Sequence, residues 1–344
     1  MSSGDVLAVV AQSGPAVGFF DATTHRHLDT VELPAEPHEL CFDPEHRVLY
    51  CTITYRSGYY HENGGRAAEL VVVDPDERAI VDVIDLSPEH GPHGLALDGA
   101  HRRLYVSVEE GAAGPGGVVV LDTRTRTQIG RIDTEAPGPH WFAITPDGRR
   151  GYASNKEAPF VSAVDLETGR LLQRVPVPGS EGIAVSPDGT RVCVATPYAA
   201  FGGHRSAPNG VLVIDAVTGE LLRTLPTEGQ VMPVHITGTG LLLAGELRMS
   251  GGGSGLGRQR PGRLLIFELG SCELLGAVEV GEFPLTITSS PDGARAYVSA
   301  VVSSTVSVVD LENHEVLAAL PVERRGEPGA HGLAYVPGRG CLGS

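Results

Sequence analysis

The chain has 344 residues and a formal net charge of −16, because 42 Asp and Glu residues outnumber 26 Lys and Arg residues. This balance argues against a nucleic-acid partner and against an anionic membrane surface, since both need a basic face. The five cysteines form no Cys-x-x-Cys pair, and the sequence shows neither a signal peptide nor an apolar run of membrane-spanning length. We therefore expect free thiols and a cytoplasmic location.

The N-terminal segment, residues 6–33, predicts three β-strands but not the fourth strand that would complete a sheet. An apolar segment at the other end of the chain, Gly332–Val336, has the pattern of the missing strand. We therefore expect a ring closed by one C-terminal strand that joins three N-terminal strands. Such a closure removes the free sheet edge.

From residue 38 onward a short pattern recurs, in which Pro-His or a related pair precedes an apolar segment. Its copies are 41 to 55 residues apart, a period typical of propellers with four-stranded blades. One position of the pattern varies between the seven copies. Aligned by sequence, it is occupied by His38, His93, His140, Glu181, Val234, Leu285 and His331.

One copy of the repeat shows the predicted strands clearly. Strand a is predicted over His93–Asp98, strand b over Leu104–Val108, strand c over Val118–Asp122 and strand d over Gln128–Asp133. The inner strands are nearly continuous apolar runs, as expected where both faces of a strand are buried between neighbouring blades.

Four segments carry a resemblance to a known family. Residues 182–189 read Gly-Ile-Ala-Val-Ser-Pro-Asp-Gly and residues 151–155 read Gly-Tyr-Ala-Ser-Asn, while 160–165 and 306–310 match a typical strand c. In these segments the chain resembles the YVTN-repeat propellers. The resemblance implies an all-β, seven-bladed β-propeller of four-stranded antiparallel blades, in one domain over residues 1–344. The expected blades span residues 38–91, 93–138, 140–179, 181–231, 233–282 and 284–329, with a seventh built from 331–337 and 5–36.

The repeated position begins strand a, so its seven residues are predicted to ring one mouth of the central channel. Four neighbouring copies carry histidine, namely His331, His38, His93 and His140. Imidazoles that converge from several directions are what a transition metal needs, because neutral nitrogen donors surround the ion without accumulating charge. We predict a divalent transition metal here, with Fe favoured over Cu, Mn, Zn or Ni. In the alternative interpretation each Pro-His caps a neighbouring carbonyl.

Carboxylates at the same mouth are candidates for catalysis. Glu181 occupies the repeated position, and Glu109 and Glu246 end two copies of strand b. Each of them is a candidate for a general base or for a group that orients a ligating imidazole, and the alternative is a solvated loop carboxylate. Asn155 and Lys156 lie at the same level as possible contacts of a polar substrate, although surface positions are the favoured interpretation.

Three long b–c loops, over residues 55–68, 197–209 and 247–262, are predicted to rise on the histidine face. Long loops commonly carry function, and arginine and tyrosine in an acidic protein suggest a lid over a polar or aromatic small molecule. The predicted lid residues are Tyr55, Arg56, Tyr60, His61, Trp141, Tyr198, His204 and Arg248.

Three functions are consistent with these features. The favoured one is a metal-dependent small-molecule enzyme of the oxidase or oxygenase type, whose four imidazoles are similar to the iron centre of carotenoid-cleaving oxygenases. The second is a non-redox lyase, hydrolase or isomerase that uses the metal as a Lewis acid or a His/Glu pair for proton transfer. The third is a non-catalytic propeller that binds a ligand or a protein at this face.

Overall fold

A computed structural model of the protein describes residues 4–59, 62–111, 114–196, 208–250, 258–325 and 329–340. Its strands form seven four-stranded sheets, each antiparallel and each pairing its strands in the order a, b, c, d. Strand a of every blade contacts strand a of the next blade, and the seventh blade contacts the first. The sheets therefore form a closed ring, and the prediction of a seven-bladed propeller is confirmed.

We number the blades from the one that contains both ends of the chain, and give each set of strands in the order of blades 1 to 7. The innermost strands, strands a, are Ala330–Val336, Glu36–Asp43, His90–Asp98, Pro139–Ile144, Ile183–Val185, Val231–Ile236 and Pro284–Ser289. Strands b are Val6–Ala11, Val48–Tyr55, Arg103–Gly111, Arg150–Asn155, Arg191–Thr196, Leu241–Met249 and Arg295–Ala300.

Strands c are Ala16–Asp21, Arg66–Asp74, Gly114–Asp122, Phe160–Asp165, Gly210–Asp215, Gln259–Glu268 and Thr305–Asp310. The outermost strands, strands d, are His27–Glu32, Ala79–Asp85, Thr127–Asp133, Leu171–Pro176, Leu221–Pro226, Leu274–Glu282 and Glu315–Pro321. The first long b–c loop also contains a two-stranded hairpin, Gly58–Tyr59 with Glu62–Asn63, which the sequence pattern did not predict.

Burial follows the position of a strand within its blade. Every residue of Val48–Tyr55, strand b of blade 2, is buried, whereas Ala79–Asp85, strand d of the same blade, has only exposed or half-buried residues. Strands b and c are therefore sandwiched between neighbouring blades, which explains their continuous apolar runs. Among the residues that the structure describes, no helix is long and apolar enough to cross a membrane.

The two ends of the chain meet in blade 1, as predicted. Ala330–Val336 pairs antiparallel with Val6–Ala11. The Asp5 carboxylate reinforces this closure, because it accepts hydrogen bonds from the Tyr335 hydroxyl at 2.5 Å and from the Gly338 amide at 2.7 Å. Backbone pairing and side-chain hydrogen bonds in blade 1 thus close the ring of blades.

Candidate metal centre

The repeated histidines lie at a bulge in the innermost strand. In blade 3 the pairing of strands a and b shifts between Pro92 and Leu95, so His93 and Gly94 together oppose only Ser107. Equivalent shifts occur beside the histidines of blades 1, 2 and 4. A bulge changes the direction in which a side chain points, and bulges are frequent next to functional sites. Here they occur where the imidazoles converge on the channel.

In blades 2, 3 and 4 a hydroxyl from strand b satisfies the backbone amide that the bulge removes from the regular pairing. The Ser107 hydroxyl accepts a hydrogen bond from the Gly94 amide at 2.8 Å and donates to the carbonyl of His140 in the next blade. The hydroxyls of Thr52 and Ser154 accept from the equivalent amides of blades 2 and 4 at 3.0 and 3.1 Å. The sequence analysis missed these residues, although a Ser or Thr inside a buried apolar strand was a visible signal.

Three imidazoles come together at the channel mouth. The ring centroids of His38 and His93 are 4.1 Å apart, and those of His93 and His140 are 3.4 Å apart. One nitrogen from each of the three rings lies within 4.8 Å of the others, and all three side chains are buried. His331 lies beside this triad, with its ring centroid 4.0 Å from His38 but 6.5 Å from His93. Of the four predicted ligands, the structure thus groups three and places the fourth adjacent to them.

The three grouped imidazoles are held in the neutral form. Burial lowers the pKa of His38, His93 and His140 well below 6.5, and the neighbouring histidines and Lys156 lower it further. A neutral imidazole has a lone pair available for a metal ion. The electrostatics therefore favour the form of the ring that binds metal.

Buried nitrogen atoms of the triad are not accounted for by hydrogen bonds. Nδ1 of His38 and Nδ1 of His93 are buried without a hydrogen-bond partner among the described residues. A buried polar atom without a partner costs about 1–3 kcal/mol, so such atoms need an explanation. A metal ion bound by these nitrogens supplies one, and the residues present fit such an ion.

Carboxylates lie at both ends of the row of histidines. Oε1 of Glu39 is 3.2 Å from Nδ1 of His331, and Oε1 of Glu181 is 3.3 Å from Nδ1 of His140. Burial raises the pKa of both carboxyls, that of Glu181 to about 7, and Lys156 opposes this effect. Nζ of Lys156 is 3.5 Å from the same Glu181 oxygen. Glu39 was not among the predicted site residues.

The other two predicted catalytic carboxylates are buried and paired. Glu109 accepts hydrogen bonds from the Tyr55 hydroxyl at 2.7 Å and from Nε of Arg66 at 2.9 Å. Glu246 is paired with Arg263, with contacts of 2.7 and 2.6 Å to Nε and Nη2. Neither carboxylate is a solvated loop residue, and both join neighbouring segments of the propeller.

The side chain at the repeated position is polar in five blades. In the remaining two blades it is apolar. In blade 6 the register shift lies between Val231 and Val234, so Met232 occupies the position equivalent to the histidines. The sequence alignment that assigned this position to Val234 is wrong by two residues, because Pro233 lies inside the bulge rather than before it. Met232 and the equivalent residue of blade 7, Leu285, belong to one hydrophobic cluster.

The predicted lid residues that the structure describes take different positions. Tyr55 is buried in the wall of the site, where its ring centroid is 5.7 Å from that of His38. Trp141 is half-buried and packs against the apolar core between blades 4 and 5. Arg56 and Arg248 form ion pairs with Glu69 and Glu279 in their own blades. The other predicted lid residues lie outside the described residues, and they are Tyr60, His61, Tyr198 and His204.

A further histidine of an innermost strand has a separate environment. His235, in blade 6, lies three residues after Met232 and outside the bulge, where it pairs with Leu243 of strand b. Its Nε2 is 2.9 Å from the Ser289 hydroxyl, and burial lowers its pKa to about 4. His235 is therefore a useful reference for the three grouped histidines.

Fold and site together define a seven-bladed β-propeller with a buried histidine triad at one mouth of its channel. No family model matches the sequence, so the resemblance to YVTN-repeat propellers stays a prediction. The chain is 25% identical over 324 residues to the seven-bladed beta-propeller protein Rv1057 of Mycobacterium tuberculosis, a match that covers 93% of this chain and 72% of that protein.

Solved structures share the fold at lower identity. The hydrazine synthase of Kuenenia stuttgartiensis superposes with a TM-score of 0.69 at 20% identity, over 87% of this chain and 90% of that one. A functionally unknown protein from Desulfotomaculum acetoxidans gives 0.71 at 14%, over 97% and 99%. The dihydro-heme d1 dehydrogenase NirN gives 0.60 at 14%, over 92% and 63%. At these identities the comparisons establish the propeller fold alone.

Proposed function

We propose that the protein is a metal-dependent enzyme that acts on a small molecule, with one divalent transition metal held by His38, His93 and His140. The observation that carries this proposal is the approach of three buried, neutral imidazoles to within 4.8 Å of one another, nitrogen to nitrogen. His331, beside His38, is the candidate for a further ligand. Iron is the favoured metal, with Cu, Mn, Zn or Ni as alternatives, and imidazole is a preferred ligand of Fe, Cu, Zn and Ni.

The capping interpretation explains the site less well. If each histidine served only to cap a carbonyl or a carboxylate, its ring nitrogens would have partners inside the protein. Nδ1 of His38 and Nδ1 of His93 have none among the described residues. Each buried imidazole nitrogen without a hydrogen-bond partner costs the free energy of its desolvation. Folding alone therefore does not favour this arrangement. A function that requires these atoms accounts for the arrangement.

The residues around the triad have distinct roles in this proposal. A bound metal supplies a redox centre or a Lewis acid for the substrate. The blade cores that bury the triad limit the access of water to it. Glu181 is placed to orient His140 and to accept or donate a proton near the substrate, since its Oε1 is 3.3 Å from that ring and its pKa is about 7. The substrate is a polar or aromatic small molecule.

The composition of the donor set is consistent with redox chemistry of the oxidase or oxygenase type, the reaction type that we favour, and disfavours Mg and Ca. All grouped donors are imidazole nitrogens, and no carboxylate joins them in the cluster that the described residues form. Nitrogen-rich sites suit Fe and Cu, whereas Mg and Ca prefer oxygen. The hydrazine synthase and the dihydro-heme d1 dehydrogenase share only the fold with this chain, so they support no particular cofactor or reaction.

One observation favours a second candidate, a non-redox lyase, hydrolase or isomerase. A carboxyl group with a pKa of about 7, such as Glu181, is well suited to general acid–base catalysis at neutral pH. The identity of the metal distinguishes the candidates, because retained Zn favours the non-redox reaction and retained Fe or Cu the redox one. Retention of no metal would favour the third possibility, a binding propeller without catalysis.

Metal analysis of protein purified without a histidine tag tests the proposal. Samples offered Fe(II), Cu, Mn, Zn or Ni under anaerobic conditions are desalted and measured by mass spectrometry, and about one equivalent of one metal is expected. His93→Ala should lose most of it. His235→Ala is the matched control, since it removes a histidine of an innermost strand outside the triad. Less than about a tenth of an equivalent of every metal in the wild type would contradict the proposal.

A further inference from the structure

One side of the channel mouth is apolar where the opposite side carries polar site residues. Two positions in each blade define the mouth, namely the bulged residue of strand a and a residue at the end of strand b. In blade 4 these positions hold His140 and Lys156, the single lysine of the chain. In blade 7 they hold Leu285, which lies within the register shift of its strand a, and Val301. The polar pair of one blade is thus an apolar pair in the other.

Backbone hydrogen bonds establish that these positions are equivalent. In blades 4, 6 and 7, the amide at the end of strand b donates to the carbonyl of the residue just before strand a. The donor and acceptor residues are Lys156 and Gly138 at 2.9 Å, Leu247 and Gln230 at 2.7 Å, and Val301 and Phe283 at 3.1 Å. Blade 6 therefore matches blade 7, because it has Leu247 at the second position and Met232 in its bulge.

The apolar residues of blades 6 and 7 pack into one cluster at the mouth, which we call the apolar wall. Its residues are Met232, Leu247, Phe283 and Val301, which are buried, and Leu285, which is half-buried. In a ring of seven blades, blades 6 and 7 lie across the channel from blade 3. Blade 3 carries His93, the middle histidine of the triad. The apolar wall therefore faces the proposed metal centre.

The backbone of Phe283 indicates that its side chain is needed in this wall. Phe283 has a φ of 61°, in the left-handed region, and the equivalent residues of blades 3 and 4 are Gly91 and Gly138, each with a φ of 64°. A residue with a Cβ atom is strained in this region, and strained residues cluster at functional sites. Blade 7 thus keeps an aromatic side chain at the mouth in a conformation that two other blades assign to glycine.

A wall of this kind selects part of a bound molecule. Binding sites for small molecules are mostly apolar, and a few polar groups in them fix the orientation of the ligand. On the proposed function, the metal is the polar group that fixes one end of the substrate. The part of the substrate that projects across the mouth then meets Met232, Phe283 and Leu285. An apolar group gains free energy on leaving water for such a surface, whereas a polar group loses hydrogen bonds there.

We propose that Met232, Phe283 and Leu285 determine the specificity of the site, and that the substrate is amphipathic. Its polar group meets the metal, and an adjoining apolar group lies against the apolar wall. This inference rests on the proposed function and adds to it the chemical class of the substrate. The thioether of methionine and the ring of phenylalanine both make favourable contacts with aromatic rings, so a phenyl group is a suitable probe.

Two ligands that differ by a phenyl group test the inference. Imidazole and 4-phenylimidazole both offer a ring nitrogen to a metal, and calorimetry measures their binding to protein loaded with the metal that the wild type retains. The wild type should bind 4-phenylimidazole at least about tenfold more tightly than imidazole, as expected for burial of a phenyl group. In Leu285→Asn this preference should fall below about threefold, while the affinity for imidazole stays within about twofold of the wild type, since the metal ligands are unchanged.

Ile236→Asn is the matched control. Ile236 is also a half-buried apolar residue of an innermost strand, but it lies four residues beyond Met232 along that strand and therefore away from the mouth. This variant should keep the preference of the wild type for 4-phenylimidazole. Where Leu285→Asn does not fold, Leu285→Ala takes its place, and its preference should fall at least about threefold because part of the apolar contact is lost.

The possible results separate this inference from the proposed function. Equal affinities of the metal-loaded wild type for the two ligands overturn the inference, and so does a preference that persists in the Leu285 variant. An equal loss of both ligands in that variant also overturns it, because the wall then supports the metal rather than the substrate. The same fall in Ile236→Asn overturns it as well. A wild type that retains no metal contradicts the proposed function itself, and the inference fails with it.

Discussion

The imidazoles of His93 and His140 lie at a centroid distance of 3.4 Å with their ring planes tilted by 45°, although they belong to different blades. The residue after His93 makes this approach possible. A Cβ atom at Gly94 would lie 2.7 Å from the carbonyl oxygen of His140 and 2.8 Å from the Cα of Trp141. The spacing of the two rings thus depends on a glycine at which two bulged strands meet backbone to backbone.

Gly94→Ala should therefore separate blades 3 and 4 and weaken the metal site. Because the clash is with backbone rather than with a flexible side chain, we expect a loss of about 1–3 kcal/mol in the free energy of unfolding, measured by urea denaturation. Metal retention should fall in the same variant. Gly99→Ala is the control, because no heavy atom lies within 4 Å of a Cβ at that position. Equal stability of the two variants would contradict the role of Gly94.

Ser107→Ala tests the hydroxyl that supports the bulge. The hydroxyl accepts from the Gly94 amide at 2.8 Å in a fully buried position, so its removal leaves that amide without a partner. A loss of about 1–3 kcal/mol in the free energy of unfolding is expected. Ser107→Thr should retain most of the stability, since Thr52 makes the same contact in blade 2. A variant Ser107→Ala as stable as the wild type would show that water replaces the hydroxyl.

These contacts show which parts of the protein the sequence could predict. The ring, its seven blades and its closure follow from a repeat near 41 to 55 residues and from a missing strand at one end, because these are properties of strand length and order. The grouping of His38, His93 and His140 follows from their shared place in the repeat, once the ring is known.

The site residues that the sequence did not reveal are mostly those whose positions depend on the bulges. In a regular strand, His38 and Glu39 would point to opposite faces, since side chains alternate with period two. The bulge breaks this alternation, and both residues are buried, with Glu39 next to His331. Met232 was missed for the same reason. The bulge of blade 6 shifts the strand register, and the sequence pattern does not show where this bulge lies. The inward direction of Lys156 depends on turn geometry, although its uniqueness among the basic residues was a signal in the sequence.

Arg66→Met should destabilise the wall of the site. The substitution leaves the buried Glu109 carboxylate with its hydrogen bond from the Tyr55 hydroxyl but without the paired Arg66 cation. Because Arg66 is itself partly exposed, we expect a loss of about 1–3 kcal/mol, less than for a fully buried pair. The double variant Arg66→Met/Glu109→Gln should recover part of this loss, because it removes the unpaired charge. Arg56→Met, at a more exposed ion pair, is the control and should change stability by less than about 1 kcal/mol. No recovery in the double variant would contradict this account.

His235 should make the stability of the protein depend on pH. Its pKa is about 4 in the folded protein, whereas an unfolded chain has a histidine pKa near ~6.5. Between these values the unfolded state binds a proton that the folded state excludes, so acidification from pH ~6.5 to ~4 lowers the free energy of unfolding. Since the ring is only partly buried, the contribution is on the order of 2 kcal/mol. Urea denaturation across this range should show a shallower decline for His235→Gln than for the wild type, and parallel curves would refute the assignment.

Metal binding should stabilise the folded protein, since the triad is assembled from three blades and the unfolded chain does not hold these nitrogens together. At a free metal concentration about 1,000 times the dissociation constant, the free energy of unfolding should rise by about 4 kcal/mol. His93→Ala should lose most of this increase, while His235→Ala, with an intact triad, should retain it. The measurement is urea denaturation with and without the metal that the wild type retains. A gain that persists in His93→Ala would place the ion elsewhere in the protein.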